Sequence, residues 1–234
     1  MGILDLFQGQ KRDNKRASKA AAHNSKGAAL AGLGRYEEAI KECDTAIKLN
    51  PNYADAHINK GAALAGLGKY KEAIKEYDAA IKSNPNYADA HINKGAALAG
   101  LGKYKEAIKE YDAAIKLNPN HAVAHINKGA ALGGLGRHED EIKEYDAAIK
   151  LNPNYAAAHN NKGAALAGLG RYEEAIKEYD IAIKLNPNHA DAHYNKGIAL
   201  AGLGRYEEAV KEYDTAIKLN PNYAIAHYNK GIAL

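Results

Sequence analysis

Histidine recurs at one fixed position along the chain, and its side chain is the one best suited to bind metals or move protons near neutral pH. Equivalent residues of stacked helices lie about one helix diameter, ~10 Å, apart. Zinc ligands lie ~2 Å from a shared ion, so neighbouring members of this row cannot share one. We therefore predict no metal or other cofactor, and rings that fill the core of each repeat. The row is His23, His57, His91, His125, His159, His193 and His227.

Burial of these rings has an electrostatic consequence. A neutral imidazole removed from water resists protonation, so burial lowers its pKa. The row therefore predicts that the folded chain loses stability between pH ~7 and ~5, where the rings are forced to take up protons.

A row of lysines follows three residues after the histidines. Such a row could track the phosphates of a nucleic acid. Alternatively, each aliphatic stem covers apolar surface while its ammonium group stays in water. The first helix of each repeat has few aromatic residues on which bases could stack, so we favour the second interpretation and expect no nucleic-acid partner. The row is Lys26, Lys60, Lys94, Lys128, Lys162, Lys196 and Lys230.

Asparagine follows two residues after the histidine in every copy but the first, forming what we call the amide row. Amides offer donors and an acceptor, so such a row can hold the backbone of an extended peptide. The alternative is a bond to a neighbouring repeat's backbone. The position before the asparagine differs between copies, and we call it the variable row. This variation indicates either selection of a partner or drift on a solvated face. Where the residue is tyrosine, partner binding is favoured, because tyrosine is common at binding hot spots. The candidate peptide-binding residues are Asn59, Asn93, Asn127, Asn161, Asn195, Asn229, Ile58, Ile92, Ile126, Tyr194 and Tyr228.

The fourth copy departs from the others. Glu141 and Gly133 stand where the other copies have alanine, and His138 stands where they have tyrosine. An unpaired buried carboxylate is unfavourable, so we favour the interpretation that the fourth repeat is locally less stable than the others. There are two alternatives. The substitutions are simply tolerated at the surface, or they form a dedicated site built on His138 and Glu141.

These rows exist because a 34-residue unit repeats, and such a period indicates an array of stacked units. Two helices are predicted in the copy at 54–87, Ala54–Leu67 and Tyr70–Ser83, with Asn52 capping the first and glycines ending it. Gly61 lies inside the first helix, which predicts that another helix approaches closely there. No segment alternates with period 2, so we expect no strands. The copies span 20–53, 54–87, 88–121, 122–155, 156–189, 190–223 and, in part, 224–234.

Residues 1–19 lie outside the repeat and form an N-terminal leader or cap. Its basic stretch is either a frayed leader or short cap that continues into the first helix, or a contact arm for an acidic surface or membrane. The apolar Ile3, Leu4, Leu6 and Phe7 could cover the open end of the first repeat. Cys43 is the only cysteine, which we expect to be buried, and a single thiol is consistent with a cytoplasmic location. The net charge of +4 is a modest excess that by itself suggests no nucleic-acid partner. No apolar run approaches ~18 residues, so we expect no membrane span.

The repeat resembles the tetratricopeptide (TPR) family. The residues that match its glycine, large apolar, alanine, aromatic, alanine and proline columns are Gly61, Leu64, Ala73, Tyr77, Ala80 and Pro85. His57 and Lys60 replace the tryptophan and leucine that the family often has. The resemblance implies an all-α, right-handed α-solenoid superhelix of antiparallel helix-turn-helix repeats.

The resemblance also implies that the amide row lines a concave groove that binds a peptide or helical segment of a partner protein. The alternative is a structural module that self-associates through its terminal repeats, including the C-terminal helix. No catalytic arrangement is visible, because the serines (Ser18, Ser25 and Ser83) do not recur with a histidine and an acid. We therefore expect a scaffold and not an enzyme.

Overall fold

The computed structural model describes the backbone of residues 3–234 and the side chains of residues 10 and 13–234. This part of the chain contains only helices, joined by short turns, which confirms the all-α prediction. It divides into a first compact unit that ends at Pro119 and a second that begins at Asn120. The helices are α1 (Ile3–Gly32), α2 (Tyr36–Leu49), α3 (Ala54–Gly66), α4 (Tyr70–Ser83), α5 (Ala88–Gly100), α6 (Tyr104–Leu117), α7 (Ala122–Gly133), α8 (His138–Leu151), α9 (Ala156–Gly168), α10 (Tyr172–Leu185), α11 (Ala190–Gly202), α12 (Tyr206–Leu219) and α13 (Ala224–Ala233).

Within each unit, consecutive helices pack against one another, and the first helices of successive repeats also touch. In the first unit α3 contacts α1, α2, α4 and α5, and in the second α9 contacts α7, α8, α10 and α11. Within each unit, every repeat is therefore a helical hairpin that packs on the next hairpin of that unit, as an α-solenoid requires.

The turn inside each hairpin is made by one glycine. Gly68 has φ +73°, a left-handed conformation that favours glycine. Its N–H donates to the carbonyl of Ala65, and the N–H of Lys69 donates to that of Leu64, both at 2.9 Å. These two bonds form a Schellman motif, which ends α3. Gly66, predicted to act in the same way, is the last residue of α3 and does not have a positive φ; a Cβ there would meet the Tyr36 ring at 2.6 Å.

The turn between hairpins is organised by the asparagine before each proline. The backbone N–H of Asn86 donates to Oδ1 of Asn84 at 3.3 Å, and the N–H of Tyr87 donates to the carbonyl of Asn84 at 3.2 Å. Tyr53 is the N-cap of α3 and makes no side-chain cap bond. The prediction that Asn52 caps this helix is therefore wrong, because the turn places Tyr53 at that position.

Close helix packing explains the glycine inside the first helix of each complete repeat. A Cβ on Gly61 would lie 2.6 Å from Cε1 of Tyr77, a ring that is only 2% exposed. The tyrosine ring therefore lies directly on the helix backbone, which confirms the predicted close approach. Cys43 takes the tyrosine position in the first repeat and is fully buried, as predicted.

The leader and the first helix of repeat one are continuous in α1. Nη2 of Arg16 donates to the carbonyl of Lys48 at 3.2 Å, so this helix contacts α2. The predicted covering role of the apolar residues Ile3, Leu4, Leu6 and Phe7 lies outside the described side chains. None of the helices described is long and apolar enough to cross a membrane.

Candidate functional site

The histidine row forms part of a polar network inside each hairpin. Nδ1 of His57 lies 2.7 Å from Oε2 of Glu76, and its Nε2 lies 3.0 Å from the carbonyl of Pro51. The other carboxylate oxygen, Oε1, accepts from Nζ of Lys60 at 2.6 Å. The same histidine–glutamate pairing recurs at 2.6–2.8 Å for His23–Glu42, His91–Glu110, His125–Glu144, His159–Glu178 and His193–Glu212.

This network reverses the predicted sign of one pKa shift. The bond to Glu76 raises the pKa of His57 despite burial, because both ring nitrogens face acceptors. Burial alone would raise the pKa of Glu76, but hydrogen bonds from His57 and Lys60 hold it below its usual range. The predicted loss of stability by protonation in mild acid is therefore wrong for His57, because its protonated form is the favoured one.

The lysine row is also paired, contrary to the prediction of ammonium groups free in water. Lys60 contacts Asp44 of the preceding repeat at 2.9 Å as well as Glu76. Lys94 likewise contacts Asp78 at 2.8 Å and Glu110 at 2.7 Å. The lysines therefore join the two helices of a hairpin and join that hairpin to the one before it. The pairs Lys162–Asp146, Lys196–Asp180 and Lys230–Asp214 repeat the contact between hairpins.

The glutamates of this network, which we call the glutamate row, were not singled out by the sequence analysis. A signal was present, because each of the six complete copies has glutamate immediately before the aromatic or cysteine position. The network also explains the two departures from the family pattern, since histidine and lysine need this carboxylate where tryptophan and leucine would need apolar neighbours. The row is Glu42, Glu76, Glu110, Glu144, Glu178 and Glu212.

The described side chains include no group of three or more histidines, cysteines, aspartates or glutamates placed to hold a metal ion. Each histidine of the six complete copies instead has a glutamate partner from its own hairpin.

The amide row is half-buried, and its bonding depends on the neighbouring copy. Nδ2 of Asn59 donates to Oδ1 of Asn24 at 2.8 Å, and Nδ2 of Asn195 donates to Oδ1 of Asn160 at 3.2 Å. Nδ2 of Asn229 donates to the hydroxyl of Tyr194 at 2.9 Å. In each case the acceptor is the variable-row residue of the preceding repeat, so a polar residue there engages the next amide.

Asn93 and Asn127 differ from the rest of the row. The variable-row residue of the copy before each is isoleucine, as it also is for Asn161, and neither Asn93 nor Asn127 has a side-chain hydrogen bond in the described part of the chain. Asn161 accepts only a long bond of 3.4 Å from Nδ2 of Asn160. These amides are the ones whose donors remain available for a ligand.

Most side chains of the variable row are too little exposed to solvent for a ligand to contact them. Ile58, Ile92, Ile126 and Tyr194 are only 6–9% exposed. Their side chains pack in the core, where Ile58 joins Ala80 and Ala90, for example. Tyr228 is the exception, at 68% exposed.

The acidic residues near the start of the first helices are also engaged. The hydroxyl of Tyr87 donates to Oδ1 of Asp55 at 2.6 Å, and that of Tyr223 donates to Asp191 at 2.7 Å. Each bond links the first helix of one repeat to the turn before the first helix of the next repeat. These aspartates therefore connect neighbouring repeats.

Family profiles match nearly the whole array. A profile described as tetratricopeptide repeat matches residues 58–122, 94–156, 126–190, 160–224 and 194–234, and one described as TPR repeat matches 27–68. The chain belongs to the tetratricopeptide repeat family. Members of this family generally mediate protein–protein interactions, and the family is generally non-enzymatic. A comparison with curated proteins gives no match.

Solved structures with a similar fold include proteins described as TPR proteins. YrrB, described as a TPR protein with an unusual peptide-binding site, is 26% identical, with a TM-score of 0.62 over 81% of this chain and 97% of that one. PilF of Pseudomonas aeruginosa is 19% identical, with a TM-score of 0.79 over 93% of this chain and 99% of that one. MamA is 26% identical, with a TM-score of 0.63 over 70% of this chain and 96% of that one.

Proposed function

We propose that this TPR chain is a scaffold that binds an extended peptide or helical segment of a partner protein on the side of the first helices that carries the amide row. The observation that carries the proposal is an unengaged amide in each unit, Asn93 in the first and Asn127 in the second. Both are half-buried, so each is held in place while its polar atoms remain within reach of a ligand. The peptide-binding site named in the description of YrrB supports this class of ligand.

The neighbours of these amides suit a peptide. Ala96 and Ala130 lie three residues further along the same helices and are exposed. Residues three apart lie on one face of a helix, so each amide has a small side chain next to it. A peptide backbone can therefore approach closely, donating to and accepting from the amide.

A protein ligand is favoured over a nucleic acid because the basic row is neutralised. Every lysine of that row has a carboxylate partner at 2.6–2.7 Å, either a glutamate of its own hairpin or, for Lys230, Asp214 of the preceding one. Phosphate binding would require these ion pairs to be given up.

The test is a peptide-display screen followed by affinity measurements on two matched double variants. N93A/N127A removes the unengaged amides, whereas N59A/N195A removes amides already bonded to the preceding repeat. Loss of one hydrogen bond of ~1 kcal/mol weakens binding about fivefold. We expect N93A/N127A to weaken the selected peptides by about that factor per contacting amide, and N59A/N195A to leave them unaffected. Failure to select any peptide, or equal effects of the two variants, would contradict the proposal.

Self-association is the second candidate function, and one surface favours it. On α13, Ile225, Tyr228 and Ile232 are 52–68% exposed, and Leu234 is 86% exposed. A second copy of this chain could cover this apolar face. Light scattering over a range of concentrations should then show a rising mass that Tyr228→Asp abolishes, and a strict monomer at high concentration would contradict it.

A further inference from the structure

Three departures of the fourth repeat, Gly133, His138 and Glu141, lie side by side. Glu141 is only 8% exposed, and a Cβ on Gly133 would lie 2.6 Å from both of its carboxylate oxygens. The carboxylate therefore occupies the space that an alanine methyl group fills in the other copies. Gly133 and Glu141 are a matched pair, and the glycine makes room for the acid.

Glu141 has one hydrogen-bond partner at each oxygen. Nδ1 of His138 lies 2.9 Å from Oε2, and the hydroxyl of Tyr145 donates to Oε1 at 3.2 Å. An ionised carboxylate offers about four acceptor positions, so each oxygen keeps a free one.

His138 also opens space next to this carboxylate. In other hairpins the ring of Tyr70 or Tyr172 comes within 2.9 or 2.8 Å of the Cβ position of Gly100 or Gly202 in the next repeat. The imidazole of His138 comes only to 3.7 Å of that position at Gly168. The smaller ring leaves a gap that the tyrosine closes elsewhere.

The result is a cavity of about 430 Å³ within the second unit. Glu141, His138 and Tyr145 form its polar side, and Asn161 adds an amide. The rest of the lining is small: Ala130, Gly133, Ala164 and Ala165.

We propose that this cavity binds a primary ammonium group on an alkyl chain. Its three donors can reach the free acceptor positions of Glu141 and the carbonyl of Asn161, and the small apolar lining accommodates methylene groups. A guanidinium fits less well, because its parallel two-bond contact needs both carboxylate oxygens along one edge, and His138 and Tyr145 already contact both. A lysine of a bound peptide is the source that the proposed function supplies, and a free alkylamine is the other.

The test follows NMR signals of His138 and Tyr145 in the full chain during titration with Nα-acetyl-lysine methylamide. The norleucine analogue, which has the same chain without the ammonium group, is the probe control. Glu141→Gln keeps the size of the side chain and removes its charge, and G133A/H138Y/E141A restores the residues of the other repeats. We expect saturable shifts with the lysine probe, and binding at least about tenfold weaker with norleucine or with either variant. Equal responses to the two probes, or an unchanged response of Glu141→Gln, would overturn the assignment.

A capped peptide with a single central lysine separates the two sources. Tighter binding than the lysine amide supports a peptide as the source, and equal binding supports a free alkylamine. If neither compound gives saturable shifts, the cavity assignment is wrong. The proposed scaffold function would still stand on the N93A/N127A comparison, which does not involve this cavity.

Discussion

Replacing Gly61 by alanine tests the idea that a bare helix backbone is needed under the tyrosine ring. Two effects of opposite sign compete. Alanine is favoured over glycine inside a helix by ~1 kcal/mol. Against this, the new Cβ would lie 2.6 Å from Cε1 of Tyr77 and 2.9 Å from Cδ1 and Cζ.

The steric effect is the larger of the two. Carbon atoms pack best at ~3.5–4.0 Å, so the ring or the helix must move by about 1 Å. Tyr77 is 2% exposed and has little space into which to move. Overpacking of a dense core costs ~1–3 kcal/mol, and contact along a whole ring edge favours the upper part of that range. The net expectation is destabilisation of the second repeat by ~1–2 kcal/mol after the helix-propensity gain.

Hydrogen exchange measured repeat by repeat is the appropriate assay, because solenoids open locally and a single unfolding free energy is poorly defined for them. Amides in 54–87 of Gly61→Ala should exchange about tenfold faster than in the parent chain. Gly231 is the matched control, since it occupies the same column but has no atom within 4 Å of its Cβ position. Gly231→Ala should leave exchange unchanged or slow it. Unchanged or slower exchange in 54–87 of Gly61→Ala would refute the packing argument.

Three further predictions follow from the same contacts. Gly133→Ala should destabilise the fourth repeat by ~1–3 kcal/mol, and adding Glu141→Ala should remove the effect, giving a coupling above ~1 kcal/mol in a double-mutant cycle. The His57 ring should titrate with a midpoint above 6.5 by NMR. Its contribution to the stability of the fold should be full below pH 6.5 and lost as the pH rises through the midpoint. A midpoint below 6.5 would disprove the pairing with Glu76. Cys43, fully buried with its pKa raised to about 11 chiefly by burial, should react with thiol reagents only on unfolding, and immediate labelling at neutral pH would contradict this.

The helices, their bounds and the glycine turn could be predicted from the sequence because local chemistry determines them. Gly68 is the residue that adopts the left-handed turn, and proline cannot continue a helix. The predicted second helix at 70–83 agrees with α4. Repetition strengthened these inferences, since each copy presents the same pattern.

Charge pairing could not be predicted in the same way, because it depends on which helices face one another. The exposed spacing of Asp78 and Lys82 fits a local pair within one helix. In the structure Asp78 instead contacts Lys94 of the next repeat at 2.8 Å. Lys82 lies in the last turn of α4, where a positive charge complements the helix dipole. The sequence shows which charges recur, but only the packing shows their partners.

Differences between copies in the variable row indicate either partner selection or drift, and the structure shows a third cause. A polar variable-row residue is matched by an amide 35 residues later, as in Asn24–Asn59 and Tyr194–Asn229. A difference at the variable row that comes with such a hydrogen bond is explained by the contact between repeats. The two bonded side chains belong to the first helices of neighbouring repeats.

Variation at exposed positions is therefore the better indicator of partner selection. Val123 and Ile225 occupy a column that holds aspartate in three other copies, and they are 37% and 52% exposed. Ile198 is likewise 37% exposed and replaces the small residue found in that column in the five preceding copies. These side chains add apolar surface without an internal partner that requires it. If the chain distinguishes between peptides, residues of this kind should determine the preference, while the unengaged amides hold the backbone.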